Sequence, residues 1–221
     1  MRRTLLALLA LTLFACGAAA DELSYLSKLP PIIDRDVFFG DPEIARVQIS
    51  PDGKHISFLK TNKGQLNIWV KGIDEPFEAA RPMTADEKRP VIRYGWSQDG
   101  KYLFYIQDKG GDENFHAYVI DPTEKPAEGQ EIPAARDITP IDGITAAFYS
   151  FPEKEPDIIY LGLNDRDERY HDVYRVHIST GERELIWENT QGMSGFDFDL
   201  DGNRRMAQKE TADGGTEMFR I

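Results

Sequence analysis

Apolar and polar residues alternate with a period of two in short runs along most of the chain, and turn residues separate the runs. In "QISPDGKHISFLK" (48–60) a Pro-Asp-Gly turn lies between two such runs, and "GWSQDGKYLFYI" (95–106) repeats the arrangement. Anchored on the residue before the Ser or Asp that opens the turn, Ile49, Trp96, Tyr149 and Phe198 follow at steps of 47, 53 and 49 residues. A second column, Trp69, Tyr118, Tyr174 and Phe219, has steps of 49, 56 and 45. "AARPMT" from Ala79 returns as "AARDIT" from Ala134, a step of 55. Three columns sharing a period of about 50 residues define an internal repeat.

Each repeat predicts four short strands. The first is apolar and ends in Ser or Asp. A tight turn follows, in which Gly takes a positive φ. The second strand alternates, with Ile56 and Phe58 on one face, as are Leu103 and Tyr105. A polar loop leads to a third strand carrying the aromatic of the second column, and a short fourth strand runs near Met83, Ile138 or Ile186. Four strands per unit of about 40–50 residues is the pattern of a β-propeller blade. One blade cannot cover its own two faces, whereas stacked blades cover each other's, so the aromatic columns are expected in the layers between blades. The third unit departs from the others, with the proline-bracketed "SFPEKEPDIIYLGL" in place of Asp-Gly.

The expected fold class is therefore all-β: a partial β-propeller of about three and a half to four four-stranded antiparallel blades in an open arc. The blades are expected at 43–88, 89–141, 142–190 and 191–221, the last incomplete. Residues 21–42 form a leader, in which "DRDVFFGDPE" predicts a short helix with Asp34 as N-cap and Pro42 near its end. Residues 1–20 read as a signal peptide. Arg2 and Arg3 precede an apolar stretch from Leu5 to Ala15 that is too short to span a bilayer, and Ala18 and Ala20 offer a cleavage site before Asp21. The sole cysteine, Cys16, sits in "LFAC", which resembles a bacterial lipobox and makes lipidation there the alternative. Either cleavage leaves a mature chain without disulfides, dependent on its core. The expected location is the bacterial periplasm or the medium.

Of the residues, 41% are hydrophobic and 29% charged, and the formal net charge is −12, which argues against nucleic acid or an anionic membrane as partner. "GWSQDG" offers Ser97 as a nucleophile on a sharp turn. A nucleophile elbow needs G-x-S-x-G running into a helix, but Asp99 takes the place of the second Gly and a strand follows. "GMSGF" (192–196) fails likewise at Phe196. "DFDLDGN" (197–203) mimics a calcium loop through Asp197, Asp199, Asp201 and Gly202, but its twelfth position is Gln208 rather than Glu. His171 and His177 lie about 20 Å apart on an extended strand, and His55 and His116 are isolated. Catalytic, metal and cofactor residues are accordingly read as none. The charged loops 108–116 and 164–172 fill equivalent slots, where ligand contacts form in loop-bearing scaffolds.

"LPPIIDRDVFFGDPEIARVQISPDGKHISFL", "YGWSQDGKYLFYIQDKGGDENFHAYVID" and "DVYRVHISTGE" resemble the N-terminal propeller of the prolyl oligopeptidase family of serine peptidases, in its bacterial dipeptidyl-aminopeptidase and acylaminoacyl-peptidase branch. The resemblance covers about residues 29–221. It implies a propeller that gates an α/β-hydrolase domain following it, peptide substrates reached through that parent enzyme, and a Ser-Asp-His triad in the absent domain. No catalytic residue carries over, and the chain, as a piece truncated before that domain, is expected to be inactive alone. The alternative is a stand-alone TolB-like envelope propeller that binds protein or polysaccharide.

Overall fold

The computed structural model describes residues 29–40 and 42–221. The signal-peptide and Cys16 readings lie outside the described residues. The chain divides into two units, 1–41 and 42–221. In the first, α1 (Asp36–Phe39) is a single turn. Arg35, not Asp34, holds the N-cap position, although Asp34 Oδ1 accepts the Asp36 N–H at 3.0 Å. The helix stops at Gly40, before Pro42.

The second unit contains four antiparallel sheets. β1 (Ala45–Ile49), β2 (His55–Asn62), β3 (Gln65–Gly72) and β4 (Arg81–Pro82) pair in sequence order as the first blade. β5 (Arg93–Trp96), β6 (Leu103–Gln107), β7 (His116–Ile120) and β8 (Arg136–Asp137) form the second. β9 (Ala146–Ser150), β10 (Ile158–Asp167), β11 (Tyr170–His177) and β12 (Arg183–Trp187) form the third, and β13 (Gly195–Phe198), β14 (Arg204–Glu210) and β15 (Thr216–Arg220) the fourth. This is an all-β, open, partial propeller.

The repeated turn explains the first column's spacing. Ser50 Oγ donates to Asp52 Oδ1 (2.6 Å) and accepts the His55 N–H (2.9 Å), while Asp52 Oδ1 also accepts the Lys54 N–H. Ser97, Asp99, Lys101 and Tyr102 repeat this set. In the fourth blade Asp199 stands alone and accepts the N–H groups of Asp201 and Asn203. Gly53, Gly100 and Gly202 take φ of 73°, 71° and 80°, which a side chain would strain.

The literal repeat "AARPMT/AARDIT" has two tasks. Thr84 and Thr139 hydroxyls each accept a third-strand N–H, from Ile68 and Ala117, both at 2.9 Å. That lets a fourth strand of only two residues hold. Arg81 reaches the Pro122 carbonyl in the second blade, and Arg136 reaches the Ile178 and Ser179 carbonyls in the third. Each arginine thus staples its blade to the next.

Three apolar layers lie between the blades. The first joins Leu59, Ile68, Val70 and Met83 to Tyr94, Trp96, Leu103 and Tyr105. The second joins Phe104, Ala117, Val119 and Ile138 to Ile159, Leu161, Leu163 and Val176. The third is smaller and joins Ile158, Tyr160 and Val173 to Phe196 and Ala207.

The aromatic columns follow this scheme with corrections. Trp96, Tyr118 and Tyr174 belong to the layer facing the preceding blade. Ile49 is 62% exposed, and Trp69 packs outside the layers beside Lys60, because the first blade has no preceding blade among the described residues. Tyr149 falls on the opposite face from Trp96, packing on Phe196 and Phe198 of the fourth blade, and Phe148 instead meets Phe104. A register shift between Tyr160 and Leu161 produces this flip, since one residue of slip exchanges strand faces. Gly162 accommodates it: a Cβ there would lie 2.6 Å from the Tyr149 ring.

Candidate functional site: a cleft between the second and third blades

Ser97 is fully buried, and its hydroxyl is spent on the turn, bonded to Asp99 and to the Tyr102 N–H. The calcium-like carboxylates are divided among other partners. Asp199 holds Asn203 and Arg205, Asp201 pairs with Lys154, and Asp197 accepts from Gln208. Among the described residues no three His, Cys, Asp or Glu side chains gather to hold a metal. The histidines are dispersed. His55 stacks on Trp96, and His116 Nδ1 is 2.7 Å from Asp137. His177 lies beside Asp157. Burial lowers the His171 imidazole below its usual value, and its Nε2 has no partner.

The two charged loops differ in kind. In 164–172, Arg166 grips buried Asp172 through two bonds of 2.7 and 2.8 Å. Burial pushes the Asp172 carboxyl up, but Arg166 and the Asn189 N–H more than offset this and hold it below the usual range. That loop is therefore an internal clamp. In 108–116, Gly110 and Gly111 (φ 73° and 100°) and Glu113 (φ 60°) turn the chain back on itself. The Asp112 carboxylate accepts the Lys109 and Asn114 N–H groups, and Asp108 accepts that of Glu113. The folded loop bonds onto the third blade, with the Ala146 N–H donating to the Phe115 carbonyl (2.7 Å) and the Thr145 hydroxyl to that of Glu113 (3.3 Å).

Under this loop lies a cleft of about 300 Å³. Pro90, Ile92, Ile106, Phe115 and Ala146 make its apolar wall. Its polar lining residues are Arg89, Arg93, Gln107, Asp108 and Thr145. Asp108 is buried and paired to Arg89 at 3.3 Å, so that pair is neutral overall. Gln107, at the end of β6, is buried, and by the alternation of the strand its side chain shares the face of Tyr105 toward the first blade. Arg93, the first residue of β5, is exposed and enters no ion pair among them. A mostly apolar cleft with a few converging polar groups has the character of a ligand site.

No family model matches the chain. Its sequence is 38% identical over 206 residues to dipeptidyl aminopeptidase BIII of Pseudoxanthomonas mexicana, across 93% of this chain and 28% of that protein. Dipeptidyl peptidase family member 6 of Caenorhabditis elegans is 27% identical over 192 residues, across 86% of this chain and 25% of that protein. A prolyl endopeptidase structure superposes with a TM-score of 0.56 at 16% identity, covering 79% of this chain and 26% of the other. The chain is homologous to dipeptidyl aminopeptidase BIII, and its fold is that of the propellers of the prolyl oligopeptidase family. TolB from Acinetobacter baumannii shares the fold, with a TM-score of 0.52, 15% identity, and coverage of 81% of this chain and 40% of that one. This propeller spans about a quarter of the length of the curated relatives it matches.

Two features of this propeller escape a pattern reading. Arg93 and Gln107 are the first residue of β5 and the last of β6, where a polar residue reads only as a strand end. A further column was present in the spacing: Asn67, His116 and Asp172 each precede the aromatic by two residues and are all buried. Each ties the third strand to the fourth or to the chain beyond it, through Asp86, Asp137 and Asn189 respectively.

Proposed function

We propose that this propeller is the gating and scaffolding part of a secreted serine peptidase that removes dipeptides from peptide chains. The identity to dipeptidyl aminopeptidase BIII over nearly the whole chain carries this reading. In it, the propeller screens peptides by size and the loops at its rim contact them, while a hydrolase domain elsewhere in the parent performs the acyl transfer. Among the described residues, the serines of the two repeated turns, Ser50 and Ser97, are locked in hydrogen bonds to Asp52 and Asp99. Secretion rests on the signal-peptide reading of residues 1–20, with cleavage before Asp21, and lipidation at Cys16 is the competing outcome. The TolB likeness supports a second reading, a stand-alone envelope propeller that binds a protein or polysaccharide.

Dipeptidyl p-nitroanilides and a fluorophosphonate probe test the first reading. The purified chain is expected to release no nitroaniline and to take no label. The full product of its gene is expected to do both, with the label outside residues 1–221. A labelled serine within this chain, or a full product that remains inert, contradicts the reading. Amino-terminal sequencing of the exported protein is expected to begin at Asp21; an acylated Cys16 would replace the soluble location with an anchored one. No helix among the described residues is long and apolar enough to cross a membrane.

A further inference from the structure

We propose that the Asp142–Gly143 link is a site of spontaneous covalent modification, at which aspartate rearranges through a cyclic succinimide to isoaspartate. This goes beyond the peptidase reading and does not depend on it, since the reacting groups are the chain's own.

The rearrangement needs two free groups at once. The Gly143 amide nitrogen attacks the carboxyl carbon of the Asp142 side chain. A C–N bond forms, a C–O bond breaks, and the amide hydrogen departs with the released hydroxyl as water. Water then opens the ring at either carbonyl. Opening at the side-chain carbonyl restores aspartate. Opening at the main-chain carbonyl leaves the backbone running through the side chain, one methylene longer, with a free α-carboxylate. Water is the only other reactant. Glycine favours the attack because no Cβ shields its nitrogen.

Asp-Gly occurs five times, at Asp52, Asp99, Asp142, Asp201 and Asp213. In four of the pairs both reacting groups are engaged. The N–H groups of Gly53, Gly100, Gly202 and Gly214 donate to the carbonyls of Ser50, Ser97, Asp199 and Thr211 at 2.8, 2.9, 3.0 and 3.0 Å. The Asp52 carboxylate accepts from the Ser50 hydroxyl and the Lys54 N–H, and Asp99 accepts from Ser97 and Lys101 in the same way. Asp201 is held by Lys154, and Asp213 accepts from the Thr211 hydroxyl. The remaining pair differs on both counts. Among the described residues the Gly143 N–H has no acceptor, and the Asp142 carboxylate enters no hydrogen bond or ion pair. Both residues are exposed, and a Cβ at Gly143 would meet nothing within 4 Å, so the turn has room for the ring.

This turn joins β8 to β9 and so carries the chain from the second blade to the third. Its flanks are fixed. Ile141 packs on the layer between those blades, and Ile144 is 2% exposed within it. The Thr145 N–H donates to Asn164 Oδ1, and the Ala146 N–H to the Phe115 carbonyl. An extra methylene between anchored ends displaces one of them, so the modified chain is looser where the second blade meets the third.

Ageing of the 221-residue chain in neutral buffer at body temperature tests the proposal. Tryptic peptides are mapped by mass spectrometry with electron-transfer fragmentation, which distinguishes isoaspartate from aspartate. The five pairs fall in five different tryptic peptides. Isoaspartate is expected to accumulate at Asp142 at least about tenfold faster than at Asp52 or Asp99, the factor that releasing one hydrogen bond represents. The margin over Asp201 and Asp213 is expected to be smaller, because their blade rests on the smallest layer. In concentrated guanidinium the five rates are expected to converge. Asp142→Glu, which would have to close a larger and less favourable ring, is expected to remove the product from its peptide and leave the other four unchanged. Hydrogen exchange at 144–147 is expected to be faster in the aged chain than in the fresh one. Equal rates at Asp142, Asp52 and Asp99 in the folded chain overturn the site. A preference for Asp142 that persists in guanidinium overturns the assignment of its cause to the fold, and unchanged exchange at 144–147 overturns the loosening.

Discussion

The layer between the second and third blades and the layer between the third and fourth arise from the same repeat, yet they are built differently. Eleven buried apolar residues form the former and six the latter. Arg136 staples the second blade to the third, while Arg183, the first residue of β12, is exposed. Every residue of β15 is exposed, Met218 and Phe219 among them, whereas β7 is mostly buried and no residue of β11 is exposed. Lys154–Asp201, one of the links across the weaker layer, is solvent-exposed, and Arg204 lies over Trp187 with an unpartnered Nε. In repeat proteins stability is roughly a sum of unit and interface terms. The comparison therefore assigns the second and third blades, which frame the cleft, to the rigid end of the molecule and the fourth to the soft end.

The largest test is a core truncation. Leu161→Ala, at a fully buried position in the stronger layer, is expected to cost about 2–5 kcal/mol. Phe219→Ala, at a position 39% exposed, is expected to cost less than about 1.5 kcal/mol. Urea melts of both variants decide it, and equal losses would break the comparison.

A smaller effect is expected at the staples. Arg136→Met orphans the buried Ile178 carbonyl and is expected to cost about 1–3 kcal/mol. Arg183→Met is expected to stay within about 0.5 kcal/mol. Thermal melts measured side by side suffice.

The pH response sharpens the contrast further. Burial lowers the folded His171 value below the ordinary one of about 6.5. Below that pH the unfolded chain takes up the proton first, so the stability associated with neutral His171 is complete above about 6.5 and declines as pH falls. Asp172, held below the usual carboxylate range, adds stability that is present above about pH 4 and is lost as pH falls through its folded value. Both groups are in the third blade. His171→Asn is expected to flatten the melting temperature against pH between 6.5 and about 5. An unchanged slope would contradict the assignment.

The least effect is expected at Lys154–Asp201, where Lys154→Met is expected to leave the melting temperature within scatter at 0.15 M salt. A clear drop would show the soft layer to be stronger than its burial implies.

The strand count and the turns were legible because they are local. Ser-x-Asp-Gly closes its own hydrogen bonds, and Trp69, Tyr118 and Tyr174 keep one register relative to their strands. The face of Tyr149 was not legible, because a one-residue slip between β9 and β10 leaves the spacing of Ser150 unaltered. The arginine staples were visible as letters in "AARPMT" and "AARDIT", but their carbonyl partners lie about 40 residues away in sequence, where no local pattern points. The cleft was legible only as a charged loop. Its wall brings together Ile92, Ile106, Phe115 and Ala146, which come from two blades and meet only in the fold.

Amide hydrogen exchange on the purified chain, resolved by blade, tests the gradient most directly, since local opening reports the stability of each unit. The account predicts slowest exchange in β6, β7, β10 and β11, intermediate rates in the first blade, and fast exchange throughout β13–β15 of a monomer. Uniform high protection that includes β14 and β15 would contradict it.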